Sequence, residues 1–502
     1  LQQPPDAWIH TRSVQGTFGI TAAVESFAEV IDWQEKRRGL TQGYYRLIHP
    51  PRIQHLKSRL EAAYPGYTAV FFASGGVARR EWEDLCALHQ LPAILQVSET
   101  LPESLSAPAN LLDLQDAACE VFAGILLLRD AGLAAELHER NRRRGGALSA
   151  RNAAWLLGDA DATAPQPGAL QEIRRRLCAM EGADSAFLYP SGMAAVTAAL
   201  DLALTPETPG LVVMGNVYRD THLLLEEMPW AACRVEAHLL DTHDLQGLEK
   251  QLQDPRVGAV FLETITNPLI EVPDLPAIAA RAHAAGRQVL VDSTMATPMN
   301  CQPLRWGADV VIHSTSKYLS GSNTHGGVAV LTRSRDWADA LAVSQVRLRS
   351  ELSPLEAPAL LEGLSSFAER MPRFQRNGAA LAAALRAHPA IRSVYYGTDT
   401  PTPWLNGLGS VVSAELADDS PEAFARFFDA PLHGLIKAPS LGSDQTLFCP
   451  YVYLTYYDKT DAYLRDCRLP RHLLRFACGC EEDFAPVLAA VDDALKRSTL
   501  TS

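Results

Sequence analysis

Asp292 closes the apolar run Gln-Val-Leu-Val-Asp, and Lys317 lies a short way on in Ile-His-Ser-Thr-Ser-Lys-Tyr-Leu-Ser-Gly. A lysine amine can form a Schiff base with a carbonyl carbon, and a carboxylate at a strand end can keep a pyridine nitrogen protonated so that the ring draws in electrons. Small hydroxyl donors such as Ser314 and Ser316 suit a phosphate. Together these are the parts that pyridoxal 5'-phosphate chemistry requires. Singly each has a plainer reading: a lysine among serines is commonly a solvated loop, and an aspartate closing a strand can cap the next helix. The turn Tyr-Pro-Ser-Gly-Met-Ala-Ala adds Gly192 and Met193 at a helix start, where free N–H groups can bind a phosphate dianion or serve as an ordinary cap.

These residues need a scaffold that brings strand ends together. Short apolar strands are expected at Gly210–Met214, Val257–Glu263, Gln288–Asp292, Asp309–His313 and Val328–Leu331, separated by helical patterns such as Leu275–Ala285. Alternation of this kind predicts a largely parallel sheet wrapped by helices, with ligands beyond the carboxyl ends of the strands. Glu263, Asp292 and the run from His313 to Lys317 stand at those ends. Past Pro372 the texture changes to helix Asn377–His388, strand Ile391–Tyr396, a strand near Val411–Leu416 and a last helix near Phe484–Lys496, a smaller α+β domain. The expected division is 1–150, 151–372 and 373–502.

The first of these regions carries a partial echo of the second. Shifting the chain by 117 positions aligns Pro50 to Ala78 with Pro167 to Ala195 without a gap, so that Gln54, Arg59, Leu60, Ser74 and Gly75 meet Gln171, Arg176, Leu177, Ser191 and Gly192. Both stretches read as an amphipathic helix, a short apolar strand and a Ser-Gly turn into another helix. A degenerate partial duplication explains the shared register; chance likeness of two helix–strand units is the rival.

Composition narrows the function. At 502 residues, 47% hydrophobic and 21% charged, the chain is long enough for about three domains and ordinary for a globular protein. The longest apolar run, from Val121 to Leu128, is cut by Arg129 and Asp130, far short of the roughly 20 residues of a membrane span. No secretory or transit signal is legible at the start, so a cytoplasmic location and no membrane partner are expected. A net charge of −13 repels a phosphate backbone and makes nucleic acid a poor partner. The basic runs Arg140 to Arg144 and Arg174 to Arg176 read as solvated helix faces. Nine scattered cysteines suggest a reducing compartment, and Cys478-Gly-Cys480 lacks a second pair at zinc spacing, so packing is expected there and no metal.

In combination these motifs resemble a known family, the Cys/Met-metabolism pyridoxal phosphate enzymes that include cystathionine γ-synthase, cystathionine γ-lyase and methionine γ-lyase. The resemblance covers about Pro167 to the C-terminus and rests on Ser191-Gly192-Met193-Ala194-Ala195, Glu263-Thr-Ile-Thr-Asn267-Pro268, Val291-Asp292-Ser-Thr, His313-Ser314-Thr315-Ser316-Lys317-Tyr318, Ser440-Leu441-Gly442 and Leu474-Arg475-Phe-Ala-Cys-Gly479. It implies an α/β chain of the fold type I transferase class, with a mostly parallel seven-stranded sheet, a smaller C-terminal α+β domain and, here, an N-terminal extension. It implies pyridoxal 5'-phosphate as cofactor, Lys317 as its Schiff-base lysine and Asp292 as the partner of its pyridine nitrogen. Gly192, Met193, Ser314 and Ser316 would hold the phosphate. Tyr218 would stack on the ring and help move protons, Asn267 would lie near the ring hydroxyl, and Arg475, with Ser440 beside it, would bind the substrate carboxylate.

The sequence departs from the family at three places. The family's Tyr-x-Arg, which reaches the phosphate of a neighbouring subunit, is missing ahead of Pro167, yet Tyr44-Tyr45-Arg46 stands at that spacing in the first repeat, so Tyr44 and Arg46 are expected to take over the contact, with an ordinary surface strand bearing Tyr and Arg as the rival reading. After the lysine the sequence runs Ser322-Asn323-Thr324-His325, and Gln445 replaces a glutamate that bears on substrate choice.

The expected activity is γ-replacement on an activated homoserine ester by cysteine or a related nucleophile. The alternatives are γ- or β-elimination of a sulfur amino acid, which needs the same machinery, or a binding or regulatory relative without catalysis. Retention of Asp292 and Lys317 argues against the last. A dehydrogenase is weaker still, because no Gly-x-Gly-x-x-Gly follows a strand. Small amino acids are the expected ligands, and a homodimer or homotetramer with shared sites is the expected assembly.

Overall fold

The computed structural model describes residues 26–37, 51–100, 102, 104–105, 107–116, 121–158, 165–227, 236–323, 326–397 and 402–499. Three sheets follow one another along the chain. The first joins β1 (Thr68–Phe72), β2 (Gln96–Ser98), β3 (Ala109–Asp116) and β4 (Val121–Leu128) in the order β1-β4-β3-β2. The apolar run from Val121 is therefore a buried strand. The second joins β5 (Ser185–Tyr189), β6 (Gly210–Met214), β7 (Glu236–Leu240), β8 (Val257–Glu263), β9 (Gln288–Asp292), β10 (Val310–Ser314) and β11 (Val328–Thr332) in the order β5-β11-β10-β9-β8-β6-β7. Six of these strands run parallel and β11 runs against them.

Central strands of such a sheet are covered on both faces, which is why they are apolar throughout. Successive side chains go to opposite cores: Val212, Val260, Val289 and Val291 to one, Leu211, Val213, Phe261 and Leu290 to the other. Strands β8, β9 and β10 end on polar residues, Glu263, Asp292 and Ser314, at their carboxyl rim.

The third sheet, β12 (Ile391–Tyr395), β13 (Val411–Leu416), β14 (Ile436–Lys437), β15 (Leu447–Pro450) and β16 (Leu474–Ala477), runs in the order β12-β13-β16-β15-β14 and packs against helices Pro421–Asp429 and Ala485–Ser498. Helix Ala357–Ala387 leads into it and runs straight through Pro372, so the division expected between 372 and 373 falls inside a helix. A proline removes one backbone hydrogen bond, but Phe367, Met371 and Phe374 bury one continuous face on either side of it.

The basic run from Arg140 also differs from the expected solvated face. Arg140 and Arg144, one helical turn apart, are buried and point at the fully buried Glu81. Arg144 Nη1 lies 3.2 Å from Glu81 and 2.6 Å from Asp84, and Arg140 Nε lies 4.0 Å from Glu81. Cys478 and Cys480 are buried free thiols. Among the described residues no helix is long and apolar enough to cross a membrane.

Candidate active site

Strands β8, β9 and β10 are parallel neighbours, and their registers set Glu263 opposite Asp292 and Asp292 opposite Ile312. Their carboxyl ends therefore present Glu263, Asp292 and Ser314 side by side. The chain then turns through Thr315–Leu319 and brings Lys317 in front of them. Lys317 Nζ donates to Ser440 Oγ at 2.7 Å, and Ser440 Oγ in turn donates to Asn323 Oδ1 at 3.0 Å. Ser440 is held by a tight approach of its own loop: Gly442 has φ +68, and a Cβ there would stand 2.7 Å from the Lys317 carbonyl carbon. Only glycine fits that backbone in that space.

Asp292 is half-buried and its Oδ1 accepts the Thr294 N–H at 2.9 Å. Burial pushes its carboxyl up, while the Thr294 hydrogen bonds and nearby His313 pull the other way. Glu263 accepts the backbone N–H of Tyr218 at 2.6 Å and of Asn267 at 3.2 Å, fixing both residues. Its carboxyl is pushed well above the usual range, first by burial and then by the charge of Asp292. Of the two acids, Glu263 is tied to the backbone of Tyr218 and Asn267 and acts as a buried bracket, while Asp292 keeps an oxygen free of such backbone ties at the cavity wall.

Tyr218 donates its hydroxyl to Asp220 Oδ2 at 3.0 Å. The hydroxyls of Ser314 and Ser316 lie 2.9 Å apart, and the Ser314 N–H donates to Thr294 Oγ1 at 2.8 Å. Ser191 caps helix Gly192–Ala203 by accepting the Ala194 N–H at 3.1 Å, which leaves the Gly192 and Met193 N–H groups at the open end of the helix.

Arg475 is 4% exposed and has no carboxylate partner among the described residues. Its Nη1 donates to Asn267 Oδ1 at 3.2 Å, its Nη2 to the Ser440 carbonyl, and its guanidinium lies 5.0 Å from the Tyr451 ring centre. Its buried Nε meets no hydrogen-bond acceptor among the described residues, and the Cys449 thiol lies against the same guanidinium. A buried cation without an anion is costly unless a ligand supplies one.

All of these side chains border one cavity of about 590 Å³: Lys317, Asp292, Tyr218, Asn267, Gly192, Met193, Ser314, Ser316, Ser440 and Arg475. Tyr44 and Arg46 lie outside the described residues. Sequence reasoning did not single out Thr294, Asp220 or Tyr451 for the site. It also missed an entire wall, drawn from the N-terminal half and including His138, Glu139, Arg142 and Gly145. Burial pushes the Glu139 carboxyl up, but Arg142 and Arg143 outweigh it and hold it at about 2. The only available signal was the Ser-Gly repeat, which predicted a second copy without saying where it would pack.

A lysine amine, a strand-end carboxylate, paired hydroxyls and a helix start around one cavity are the donor set that pyridoxal phosphate needs, and the chain is of the class of α/β proteins that use this cofactor. The sequence model of the Cys/Met metabolism PLP-dependent enzymes matches residues 166–496, and the chain belongs to that family. It is 31% identical over 335 residues to cystathionine gamma-synthase 1, chloroplastic, of Nicotiana tabacum, a match that takes in 64% of this chain and 60% of that protein's length. It is 34% identical over 306 residues to the L-methionine gamma-lyase of Brevibacterium sandarakinum, covering 58% of this chain and 72% of the relative. The crystal structure of cystathionine gamma synthase from Xanthomonas oryzae pv. oryzae in complex with aminoacrylate and cysteine superposes with a TM-score of 0.61 at 26% identity, covering 66% of this chain and 86% of that one.

Proposed function

We propose that the chain performs γ-replacement on an activated homoserine ester, with cysteine or a related nucleophile entering where the γ substituent leaves. The observation that carries this reading is the buried Arg475, lacking a protein anion and joined through Ser440 to Lys317. An amino-acid substrate whose carboxylate meets Arg475 has its α carbon within reach of the Lys317 amine. Arginine suits the task because its planar fork can give two parallel hydrogen bonds to a carboxylate.

Bound against Lys317 and Asp292, pyridoxal phosphate supplies the electron sink for carbanions next to the amino group. The other roles belong to the chain. Lys317 Nζ takes the proton from the α carbon and moves it along the substrate, oriented by Ser440. Asp292 would face the pyridine nitrogen of the bound cofactor and pair with its proton. Tyr218, its hydroxyl tied to Asp220, holds a proton over the same cavity, and Gly192, Met193, Ser314 and Ser316 bind the phosphate. Replacement is favoured by the cystathionine γ-synthase relatives.

C–S bond elimination is the second reading, supported by the methionine γ-lyase relative and by the use of identical groups. The test is product analysis with O-succinyl-, O-acetyl- and O-phosphohomoserine, each with and without cysteine. A thioether product that appears only with cysteine supports replacement. Keto acid and ammonia at the same rate with or without cysteine would make the chain a lyase.

A further inference from the structure

The first sheet reproduces part of the second. The orders β1-β4-β3-β2 and β5-β11-β10-β9 share one pattern, in which the second strand runs against its neighbours and the last pair is parallel. The registers agree too. Thr68 to Phe72 face Leu128 to Gly124 as Ser185 to Tyr189 face Thr332 to Val328. Asp113 faces Gly124 as Ser314 faces Val328, and Val97 faces Leu111 as Asp292 faces Ile312. Helices Pro51–Ala63, Gly75–Leu88 and Ala131–Arg144 stand where Ala169–Glu181, Gly192–Ala203 and Arg335–Leu348 stand in the larger copy.

The two copies also exchange matching contacts. Ser74, which caps its helix at Val77 N, donates its hydroxyl to the Leu348 carbonyl at 2.6 Å. Ser191, which caps its helix at Ala194 N, donates its hydroxyl to the Gly145 carbonyl at 2.7 Å. Each copy thus braces its Ser-Gly turn on the end of the other's last helix, the self-complementary pattern of a two-fold interface, here within one chain.

The copies differ where an anion would sit. The place of Asp292 is taken by Val97 and that of Ser314 by Asp113. The Asp113 carboxylate stands against the start of helix Gly75–Leu88, so close that a Cβ on Gly75 would lie 2.6 Å from its Oδ2, and Arg349 Nη1 lies 3.4 Å from it. The smaller copy fills its own cradle with a side chain.

We infer that residues 51–158 are a truncated copy of the cofactor-binding layer, closed to cofactor by Asp113, which serves inside the same chain as the second half of the one working site. Helix Ala131–Arg144 walls the cavity, and Gly145 fixes the Ser191 turn that seats the phosphate. This rests on reading the cavity as the pyridoxal phosphate site. It also gives a source within the chain for contacts otherwise expected from a neighbouring subunit.

Two glycines separate bracing from mere backbone strain. Gly145 has φ +71, and a Cβ there would stand 2.6 Å from Ala194 N and even nearer the Ser191 hydroxyl. Gly158 has φ +68 with nothing within 4 Å of its Cβ position. Alanine at either strains the backbone alike; only Gly145→Ala pushes on the turn. Apoprotein is titrated with pyridoxal 5'-phosphate and with pyridoxal, followed by absorbance. The wild type should take up one cofactor per chain, and Gly158→Ala should match it. Gly145→Ala should lose about tenfold or more in affinity for the phosphate ester, with pyridoxal unchanged. Wild-type affinity in Gly145→Ala, equal loss for both ligands, or two cofactors per chain would overturn the inference. A wild type that binds neither ligand would instead overturn the reading of the site. If Gly145→Ala does not fold, hydrogen exchange of the wild type decides. Cofactor should slow exchange across 138–147 as well as at the Ser191 turn, and unchanged exchange in 138–147 would refute the brace.

Discussion

Arg475→Lys is the most informative single change in the substrate half of the cavity. The guanidinium is held from two sides by Asn267 Oδ1 and the Ser440 carbonyl, and it packs against Tyr451. Lysine keeps the positive charge and much of the stem, so burial and charge change little, but it is a point donor and cannot give two parallel bonds. Losing one hydrogen bond to a charged carboxylate is worth about 1.5–3 kcal/mol, which predicts a fall in kcat/KM of about 10- to 150-fold. The cofactor absorption band should be intact. The assay compares wild type and variant on the amino-acid substrate and on the corresponding amine, which lacks the carboxylate. The large ratio is expected for the amino acid and a ratio near one for the amine. Equal losses on both, or no loss on the amino acid, would refute the assignment of Arg475 to the carboxylate.

Lys317→Ala should purify without the visible absorption band of bound cofactor and without turnover, as read by absorbance and product assay. Asp292→Asn removes the carboxylate proposed to face the pyridine nitrogen and should keep cofactor while losing about a hundredfold or more in turnover. Glu81→Ala should destabilise the protein by about 3–5 kcal/mol in a urea titration, because it removes the fully buried carboxylate that Arg140 and Arg144 share. Burial raises the Glu81 carboxyl, but Arg144, Arg80 and Arg140 outweigh it and the net direction is down. Its stabilising effect is therefore fully present above the unfolded value near 4.3 and lost only as pH falls through the lower folded value. The gap between wild type and Glu81→Gln should accordingly hold steady from pH 8 to 5 and close in stronger acid.

The catalytic half was legible because both-sided burial makes each parallel strand a continuous apolar run, so the polar residue ending it stands out. Val257–Glu263 and Gln288–Asp292 end where the sequence pattern ended them. Three features were not legible, each for a long-range reason. A domain division is expected after Pro372, but one helix with a continuous buried face from Phe367 to Phe374 runs through it. Arg140 and Arg144 read as exposed because their acids, Glu81 and Asp84, come from a distant helix. The placement of Gly145 on the Ser191 turn depends on how two layers dock, which no local pattern records. The Ser-Gly repeat was visible only over its first helix, strand and turn, since the copy beyond it has traded Asp292 and Ser314 for Val97 and Asp113.

The account stands most directly on the bond between Lys317 and the cofactor, and the chain contains only seven lysines among which to choose. Borohydride reduction of the holoprotein followed by peptide mass mapping should place a single pyridoxyl phosphate mass on the peptide containing Lys317, and Lys317→Ala should abolish it. A label on any other lysine, or a wild type that takes up none, would contradict the account.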